Sequence, residues 1–260
     1  MSASPGDVVA RQGRRVRILN VDFDDITMDE LLDRTEGTII TVHVDSMAKL
    51  QKDRGFYDLV GQFDVVTCDS QILYWAAKAL KRPVRERVSG SDYLPLFYAR
   101  YANDPSITMF LCGAMPGIAE EAQRRMNAKV DREMVVGTYS PPPGWYDDPD
   151  HIQRVIDMID QSGATVVIMG VAAGIQERFI IHQGPRLAHA KLLLPLGGTI
   201  DYEAGAVKRP PSWITDIGME WAWRLIREPK RRWRRYVLHQ PPVLWHLARE
   251  ALGRYRNPFA

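Results

Sequence analysis

Residues 165–179 read TVVIMGVAAGIQERF, a strand-forming run that passes through a turn of small residues into a helical pattern. The same unit recurs along the chain, with strand-like runs at 16–23, 38–44, 64–68, 107–112, 133–139, 165–171 and 190–197. Candidate helices lie between these runs, at 28–35, 45–61, 70–80, 91–103, 116–129, 149–162 and 174–189. Nearly continuous Val, Ile and Leu is typical of strands that are covered on both faces. The alternation therefore predicts an α/β fold with a mostly parallel sheet and helices on both of its faces.

The composition is that of a folded protein with an uneven charge distribution. Of 260 residues, 45% are hydrophobic and 25% charged, which excludes disordered, collagen-like and coiled-coil chains. Residues 221–260 contain ten basic and two acidic residues, whereas the rest of the chain carries a net charge of −6. A basic end on an acidic body predicts an anionic partner for that end.

The pattern divides the chain into three parts. Residues 1–14 are polar and predict a flexible N-terminus, 15–205 hold the α/β domain, and 206–260 form a basic helical appendage rich in Trp and Arg. The change of pattern falls between about 200 and 215. No apolar run approaches the ~20 residues of a membrane-spanning helix, and the N-terminus lacks the apolar region of a secretory signal. We expect a cytoplasmic protein that contacts the membrane peripherally.

Cysteine and histidine usage argues against a disulfide and against a metal site. Cys68 and Cys112 each end a strand-like run, so buried reduced thiols are favoured over a disulfide. The six His residues are scattered and no paired Cys spacing exists, so we expect no bound metal and no cofactor. The D-x-D patterns at 22–24 and 148–150 are the weaker alternatives, since some sugar-nucleotide enzymes hold a divalent ion in this way.

Ligands of parallel sheets bind at the carboxyl ends of the strands, so polar residues there are candidate site residues. Asp69 directly follows the run 64–68 and could accept a proton from a substrate hydroxyl, or cap the next helix. RVSGSD at 87–92 makes a polar turn before a helix. Its backbone N–H groups could hold a phosphate, and the alternative is an ordinary helix start capped by Ser91.

Three further strand ends carry candidates. Gly113 begins a strand-Gly-helix turn of the kind found in nucleotide-binding proteins, without the full G-x-G-x-x-G spacing. Gln176 and Glu177 open a helix, where Glu complements the helix dipole and Gln could donate to a ligand oxygen. Asp201 follows the pair Gly197–Gly198 and suits a sugar hydroxyl or a turn.

The appendage sequence EWAWRLIREPKRRWRRY, at 220–236, combines clustered Arg with Trp and Tyr. Clustered Arg suits nucleic acid, lipid phosphate or a substrate diphosphate, and Trp and Tyr favour the membrane interface. The alternative is a solvated basic helix whose Trp residues pack on the core.

Seven segments occur in the order typical of one known family. They are TVHVDS, CDS, ERVSGSD, FLCGAMPGIAEEA, GIQERFI, GGTIDYEAGAVKRPPSW and GMEWAWRLIREPKRRWRRY. The chain resembles the WecG/TagA/CpsF glycosyltransferases over about residues 16–238. The resemblance implies a Rossmann-like core with a C-terminal appendage. It also implies metal-independent, inverting transfer of a sugar from a UDP-sugar to a polyprenyl-diphosphate-linked sugar at the cytoplasmic membrane face, in bacterial surface polysaccharide synthesis.

The resemblance also assigns residues. Asp69 aligns with the proposed catalytic base of the family. The predicted substrate-binding residues are Thr41, His43, Arg87, Ser89, Ser91, Asp92, Gly113, Gln176, Glu177 and Asp201. The predicted diphosphate- or lipid-binding residues of the appendage are Arg224, Arg231, Arg234 and Arg235. His43 and Ser70 replace the usual Asn and Gly of the family, and Gly174–Ile175 replaces its Pro-Lys. These departures leave the identity of the transferred sugar undetermined.

Two other function classes are open alternatives. One is a nucleotide-sugar-processing α/β enzyme with a soluble substrate. The other is a nucleic-acid-binding protein that uses the basic end, which the acidic body and the lack of an RRM, KH or helix-turn-helix signature disfavour. The acceptor sugar, the linkage, the pathway and the oligomeric state, a homo-oligomer included, are not determined by the sequence.

Overall fold

The computed structural model describes residues 13–209 and 241–260, with the single residues 211, 214, 223 and 225 between these ranges. The four appendage arginines predicted to bind diphosphate or lipid, Arg224, Arg231, Arg234 and Arg235, lie outside the described residues.

A six-stranded parallel sheet forms the centre of the molecule. Its strands are β3 Gly37–Val42, β4 Val65–Cys68, β5 Met109–Gly113, β6 Val135–Tyr139, β7 Val166–Gly170 and β8 Leu192–Pro195. They lie in the order β4-β3-β8-β7-β5-β6, and every neighbouring pair is parallel. A separate antiparallel pair precedes them, β1 Arg15–Ile18 with β2 Val21–Asp24. The predicted α/β class with a parallel sheet is confirmed.

Helices flank the sheet on both faces. They are α1 Met28–Leu32, α2 Val44–Leu50, α3 Arg54–Val60, α4 Gln71–Ala79, α5 Gly90–Arg100, α6 Ile118–Val130, α7 Pro149–Ser162, α8 Ile175–Gln183, α9 Thr199–Glu203 and α10 Pro241–Ala251. In the described part of the chain no helix is long and apolar enough to cross a membrane.

Alternate residues of each strand enter two different cores, because successive side chains of a strand point to opposite faces. Ile40 and Val66 belong to one core, with α2, α3, α4, α7, α8 and α10. Ile39 and Val65 belong to the other, with α1, α5, α6 and α9. Both faces of the sheet are therefore buried, as its continuous apolar runs predict.

The chain crosses from one face to the other between α4 and α5. Leu73 of α4 packs in the first core and Phe97 of α5 in the second. On the way, the Val88 N–H donates to the carbonyl of Cys68, the last residue of β4, over 3.0 Å. This crossing lays residues 87–90 along the carboxyl end of β4 and so delivers the start of α5 to that edge.

Two predicted elements are wrong in detail. The run 16–23 is not one strand but the β1–β2 hairpin, which turns at Leu19 with a φ of 55°. Leucine is not a turn residue, and here the Leu19 N–H donates to the Glu250 carboxylate over 2.8 Å. The predicted helix 45–61 is two helices, because the Asp53 side chain accepts the Phe56 N–H over 2.9 Å and starts α3 afresh.

The C-terminal residues pack back onto the α/β domain. Val243 and Leu247 of α10 are buried in the first core. The Glu250 carboxylate also pairs with Arg82 over 3.0 Å. Residues 241–260 thus form part of the folded body, although the sequence places them in the appendage.

Candidate functional site

Asp69 follows β4 directly, at the carboxyl edge of the sheet. Its own N–H donates to the Val42 carbonyl of the neighbouring strand over 3.1 Å, which fixes its backbone. The cap of α4 is Ser70, whose hydroxyl lies 3.5 Å from the Leu73 nitrogen that donates to it. The alternative role of Asp69 as a helix cap is therefore wrong, and its carboxylate is left for other contacts.

The Asp69 carboxylate lies between a backbone donor and a cation. Its Oδ2 accepts the Gly90 N–H over 3.2 Å. The Arg87 guanidinium lies 3.9 Å from Oδ1 and also donates to the Asp69 carbonyl over 3.2 Å. The two side chains are 20% and 17% exposed, so this carboxylate is anchored on one side and open on another. A group in this position can accept a proton from a bound hydroxyl.

The turn before α5 belongs to the same cluster. The N-cap position is Ser89 rather than Ser91, and its side chain makes no capping hydrogen bond. The Ser89 and Ser91 hydroxyls instead lie 2.9 Å apart. Asp92, in the first turn, lies 3.8 Å from the Arg87 guanidinium. The prediction that Ser91 caps this helix is wrong.

Gly90 packs tightly against the ends of two central strands. A Cβ added here would lie 2.8 Å from Thr41 Oγ1 and 3.0 Å from a methyl carbon of Leu196. Thr41 therefore borders the same backbone segment whose N–H reaches Asp69. His43 follows β3 and caps α2 by accepting the Ser46 N–H at Nδ1 over 3.2 Å.

Gly113 ends β5 with a φ of 141°, a conformation that favours glycine. A Cβ here would lie 2.3 Å from the Gly170 carbonyl carbon of β7. The close approach of β5 and β7 therefore explains why residue 113 is a glycine. Its predicted contact with a nucleotide stays a prediction.

Gln176 carries a buried acceptor with no protein donor. Its amide nitrogen donates to the Glu177 carboxylate over 3.0 Å, and the same carboxylate accepts the Gly174 N–H over 2.5 Å at the start of α8. Gln176 Oε1 is buried without a hydrogen-bond partner among the residues that the structure describes. Such an acceptor costs about 1–3 kcal/mol when it stays unpaired, so Gln176 Oε1 is a candidate to accept a hydrogen bond from a bound molecule.

Asp201 lies in the first turn of α9 and is partly exposed. It follows β8, the strand between β3 and β7, so its position falls between those of Thr41 and Gln176 along the edge. The predicted site residues of the α/β domain therefore share the carboxyl edge of the sheet. Of these, Thr41, Asp69, Arg87 and 89–92 form one directly contacting cluster around Gly90.

Three of the four carboxylates of the two D-x-D patterns have structural partners. Asp24 accepts the Val66 N–H over 2.8 Å, Asp22 lies 3.1 Å from Arg17, and Asp148 caps α7. Across the described residues, no group of three or more His, Cys, Asp or Glu could hold a metal ion.

Both cysteines are free and buried, as predicted. Burial raises the pKa of the Cys112 thiol to about 12. Burial and then the neighbouring Asp69 charge raise the pKa of Cys68 to about 12 as well. Neither thiol is placed to act as a nucleophile at neutral pH.

Arg209 is a member of the cluster that the sequence analysis missed. Its guanidinium lies 3.7 Å from Asp92 and 2.7 Å from Glu203. Arg209 stands inside the quoted AGAVKRPPSW stretch, so the signal was present in the sequence. What the sequence could not indicate is that this side chain turns towards the start of α5.

Comparison with family models adds one finding to this geometry. The model described as "Glycosyl transferase WecG/TagA/CpsF family" matches residues 16–257 of the 260-residue chain. The match spans the whole parallel sheet and reaches into the C-terminal segment that packs on it.

Proposed function

Because the chain belongs to the WecG/TagA/CpsF glycosyltransferase family, we propose that it moves a sugar from a UDP-sugar to a polyprenyl-diphosphate-linked sugar. The reaction inverts the anomeric centre, needs no metal ion, and serves the synthesis of a bacterial surface polysaccharide. The observation that carries the proposal is the Asp69 carboxylate, which is anchored by Gly90, lies beside Arg87 and is partly open at the carboxyl edge of the sheet.

Asp69 acts as the general base in this mechanism. It takes the proton of the acceptor hydroxyl, and the oxygen forms a bond to C1 of the donor sugar from the face opposite UDP. The bond from C1 to the diphosphate oxygen breaks, and its electron pair leaves with UDP. The Gly90 N–H holds one carboxylate oxygen in place, so the other is directed to the substrate.

The leaving diphosphate needs positive charge and N–H donors. Arg87 supplies positive charge at the site. The start of α5 supplies N–H donors, because the Ser89 side chain does not cap this helix. Arginine suits this task because its planar group binds phosphate oxygens with two donors at once. Arg224, Arg231, Arg234 and Arg235 add further charge in the proposal, and they also bind the lipid diphosphate.

The other substrate contacts are hydrogen bonds at neighbouring strand ends. Gln176 Oε1 accepts from a hydroxyl or N–H of the donor, which removes the cost of its buried, unpartnered state. Thr41, Asp201 and the Ser89 and Ser91 hydroxyls line the same edge and bind sugar or ribose hydroxyls. His43 stands where the family usually has Asn, so it contributes to the choice of sugar.

Contact with the membrane is proposed for the exposed side of α10. Leu244 and Trp245 of α10, and Leu252 just after it, are 49%, 64% and 69% exposed, although Val243 and Leu247 of the same helix are buried. Exposed Trp and Leu side chains suit the interface between lipid headgroups and acyl chains. Nearby basic residues add about 1 kcal/mol each at an anionic surface.

The central test is release of UDP. The purified protein is incubated with a panel of UDP-sugars and synthetic polyprenyl-diphosphate-linked monosaccharides, and UDP is measured. We expect one donor and acceptor pair to release UDP far above the donor-only rate. Release with a soluble, lipid-free acceptor at the same rate would instead favour the soluble nucleotide-sugar enzyme, and no release with any pair would contradict the proposal.

Membrane contact has its own test. Trp245→Ser combined with Leu244→Ser should reduce sedimentation with vesicles that contain anionic phospholipid. Met158→Ser, which removes a partly exposed apolar residue of α7, serves as the matched control. Substitution is preferable to deletion of the C-terminus, because Val243 and Leu247 are part of the core. Equal sedimentation of all three proteins would remove α10 from this role.

A further inference from the structure

Arg209 links the candidate catalytic cluster to a buried carboxylate, Glu203, at the end of the α/β domain. One nitrogen of its guanidinium, Nη2, lies 2.7 Å from Glu203, a carboxylate that is only 2% exposed. The other, Nη1, lies 3.7 Å from Asp92 Oδ1. The opposite oxygen of Asp92 lies 3.8 Å from Arg87, and Arg87 lies 3.9 Å from Asp69. A continuous chain of alternating charges therefore runs from Glu203 to Asp69.

The inner end of this chain is rigid. Glu203 also accepts from Lys129 and from the Tyr98 hydroxyl, over 2.8 and 2.9 Å. A buried carboxylate with three donors is held in one position. The Arg209 guanidinium additionally lies 5.6 Å from the centre of the Tyr202 ring. Arg209 is thus fixed by Glu203 and the ring, and it presents its second nitrogen to Asp92.

The outer end of the chain is loose. Asp92 is 44% exposed and its distances to both arginines are at the long end for ion pairs. Pairs of this kind contribute little to stability on their own. Their effect is on the orientation of the Asp92 side chain, because each of its oxygens faces one of the two arginines. In this orientation Asp92 keeps Arg87 beside Asp69.

We propose that Arg209 is a positioning residue, which holds Asp92 and through it the Arg87 guanidinium beside Asp69. Arg209 stands where the α/β domain ends and the chain continues into the appendage. The same residue therefore couples the start of the appendage to the candidate catalytic cluster. The inference rests on the proposed function only in the role that it gives to Asp69 and Arg87.

The first experiment measures position without any substrate. Hydrogen–deuterium exchange is followed in peptides that cover residues 86–94, which include the Gly90 N–H that donates to Asp69. Arg209→Ala should exchange faster there than the wild type. Lys208→Ala, which removes the adjacent, exposed positive charge, should not. Equal exchange in the wild type and Arg209→Ala would overturn the proposal.

Folding should survive this substitution, because Glu203 keeps Lys129 and Tyr98 as partners. Arg209→Lys provides a second variant that retains the charge. A single ammonium group can pair with Glu203 but cannot also present a second nitrogen to Asp92. Its exchange should lie between those of the wild type and Arg209→Ala. If Arg209→Ala does not fold, the exchange of Arg209→Lys compared with that of Lys208→Ala decides the proposal.

The second experiment uses UDP release with the donor and acceptor pair found by the panel. Arg209→Ala should lower kcat about tenfold, because a catalytic group that shifts by a fraction of an ångström loses this much, with less than a twofold change in the KM for the donor. The double variant Arg209→Ala with Asp92→Asn should be no slower than Asp92→Asn alone. Additive losses would contradict action through Asp92. If the wild type releases no UDP, the proposed function fails while the exchange result still decides the role of Arg209.

Discussion

Substitution of Gly90 by Ala tests the packing that brings α5 against the candidate base. The added Cβ would lie 2.8 Å from Thr41 Oγ1 and 3.0 Å from a Leu196 methyl carbon. Atoms of this kind normally stay about 3.5–4.0 Å apart, so two contacts on two different elements are too short at once. The start of α5 has to move away from β3, and the Gly90 N–H moves away from Asp69.

The expected cost follows from these distances. Overpacking of this size costs about 1–3 kcal/mol, and the higher helix propensity of Ala offsets up to about 1 kcal/mol of it. For a chain of this size, a net loss of about 1–2 kcal/mol lowers the Tm by about 2–8 °C. A displaced Asp69 contact should also lower UDP release, by about tenfold for a shift of a few tenths of an ångström.

The assay is thermal unfolding together with UDP release. Gly61→Ala is the matched control, since Gly61 has a φ of −61° and the nearest atoms to an added Cβ lie at 3.5 Å. Its Tm should stay within about 2 °C of the wild type. Leu196→Ala should lower the Tm less in the Gly90→Ala background than in the wild type, because it removes one of the two short contacts. A Gly90→Ala protein with wild-type Tm and activity would refute the close packing described here.

Three further predictions concern the thiols, Gln176 and the C-terminal segment. Burial raises the pKa of Cys68 and Cys112 from 9.0 to about 12. A thiol reagent at pH 8 should therefore label the native protein about a thousandfold more slowly than the denatured chain. Rapid labelling of either thiol would contradict their burial. Gln176→Met removes an acceptor that has no partner among the described residues, which offsets the loss of the amide's hydrogen bond to Glu177, so the Tm should fall by less than about 4 °C. UDP release should nevertheless fall at least tenfold, and a larger loss of Tm in parallel with activity would indicate a structural role instead. Burial, then the Arg249 and Lys52 charges, lower the pKa of His246 below 6.5, so the unfolded chain takes up this proton at a higher pH than the folded chain, and the stability that the neutral imidazole gives is lost as the pH falls below 6.5. Residues 241–260 should therefore be cleaved faster by a protease at pH 5.5 than at pH 7.5. His246→Gln should abolish that difference.

Much of the architecture could be predicted because its strands are buried on both faces. Runs such as 64–68 and 165–171 are continuous and apolar, and their ends locate the carboxyl edge at which Asp69, Gln176 and Asp201 stand. The β1–β2 hairpin could not be predicted from local patterns, since its turn at Leu19 is accompanied by a hydrogen bond to Glu250, far along the chain. Asp53 could likewise not be recognised as a helix cap from the sequence, because nothing local shows that the predicted helix ends before it.

The candidate site divides in the same way. Asp69 could be predicted because it follows a strand, where ligands of parallel sheets bind. The turn at 87–92 could be predicted because it is polar and precedes a helix, whose first N–H groups can hold a phosphate. Arg209 was missed because its function depends on contacts with Asp92 and Glu203, and no local pattern reports the direction of an arginine side chain. That Ser70 and Ser89 occupy N-cap positions also depends on where each helix begins, which sequence patterns locate only within a few residues.

The role of Asp69 is tested most directly by Asp69→Asn, an isosteric change that keeps an oxygen to accept the Gly90 N–H. UDP release is measured with the donor and acceptor pair that is best for the wild type, beside Asp58→Asn as a remote carboxylate control on α3. A general base predicts a loss of about 10²–10⁴-fold in kcat for Asp69→Asn, with an unchanged Tm and no loss for the control. Turnover of Asp69→Asn at the wild-type rate would show that this carboxylate does not take the acceptor's proton.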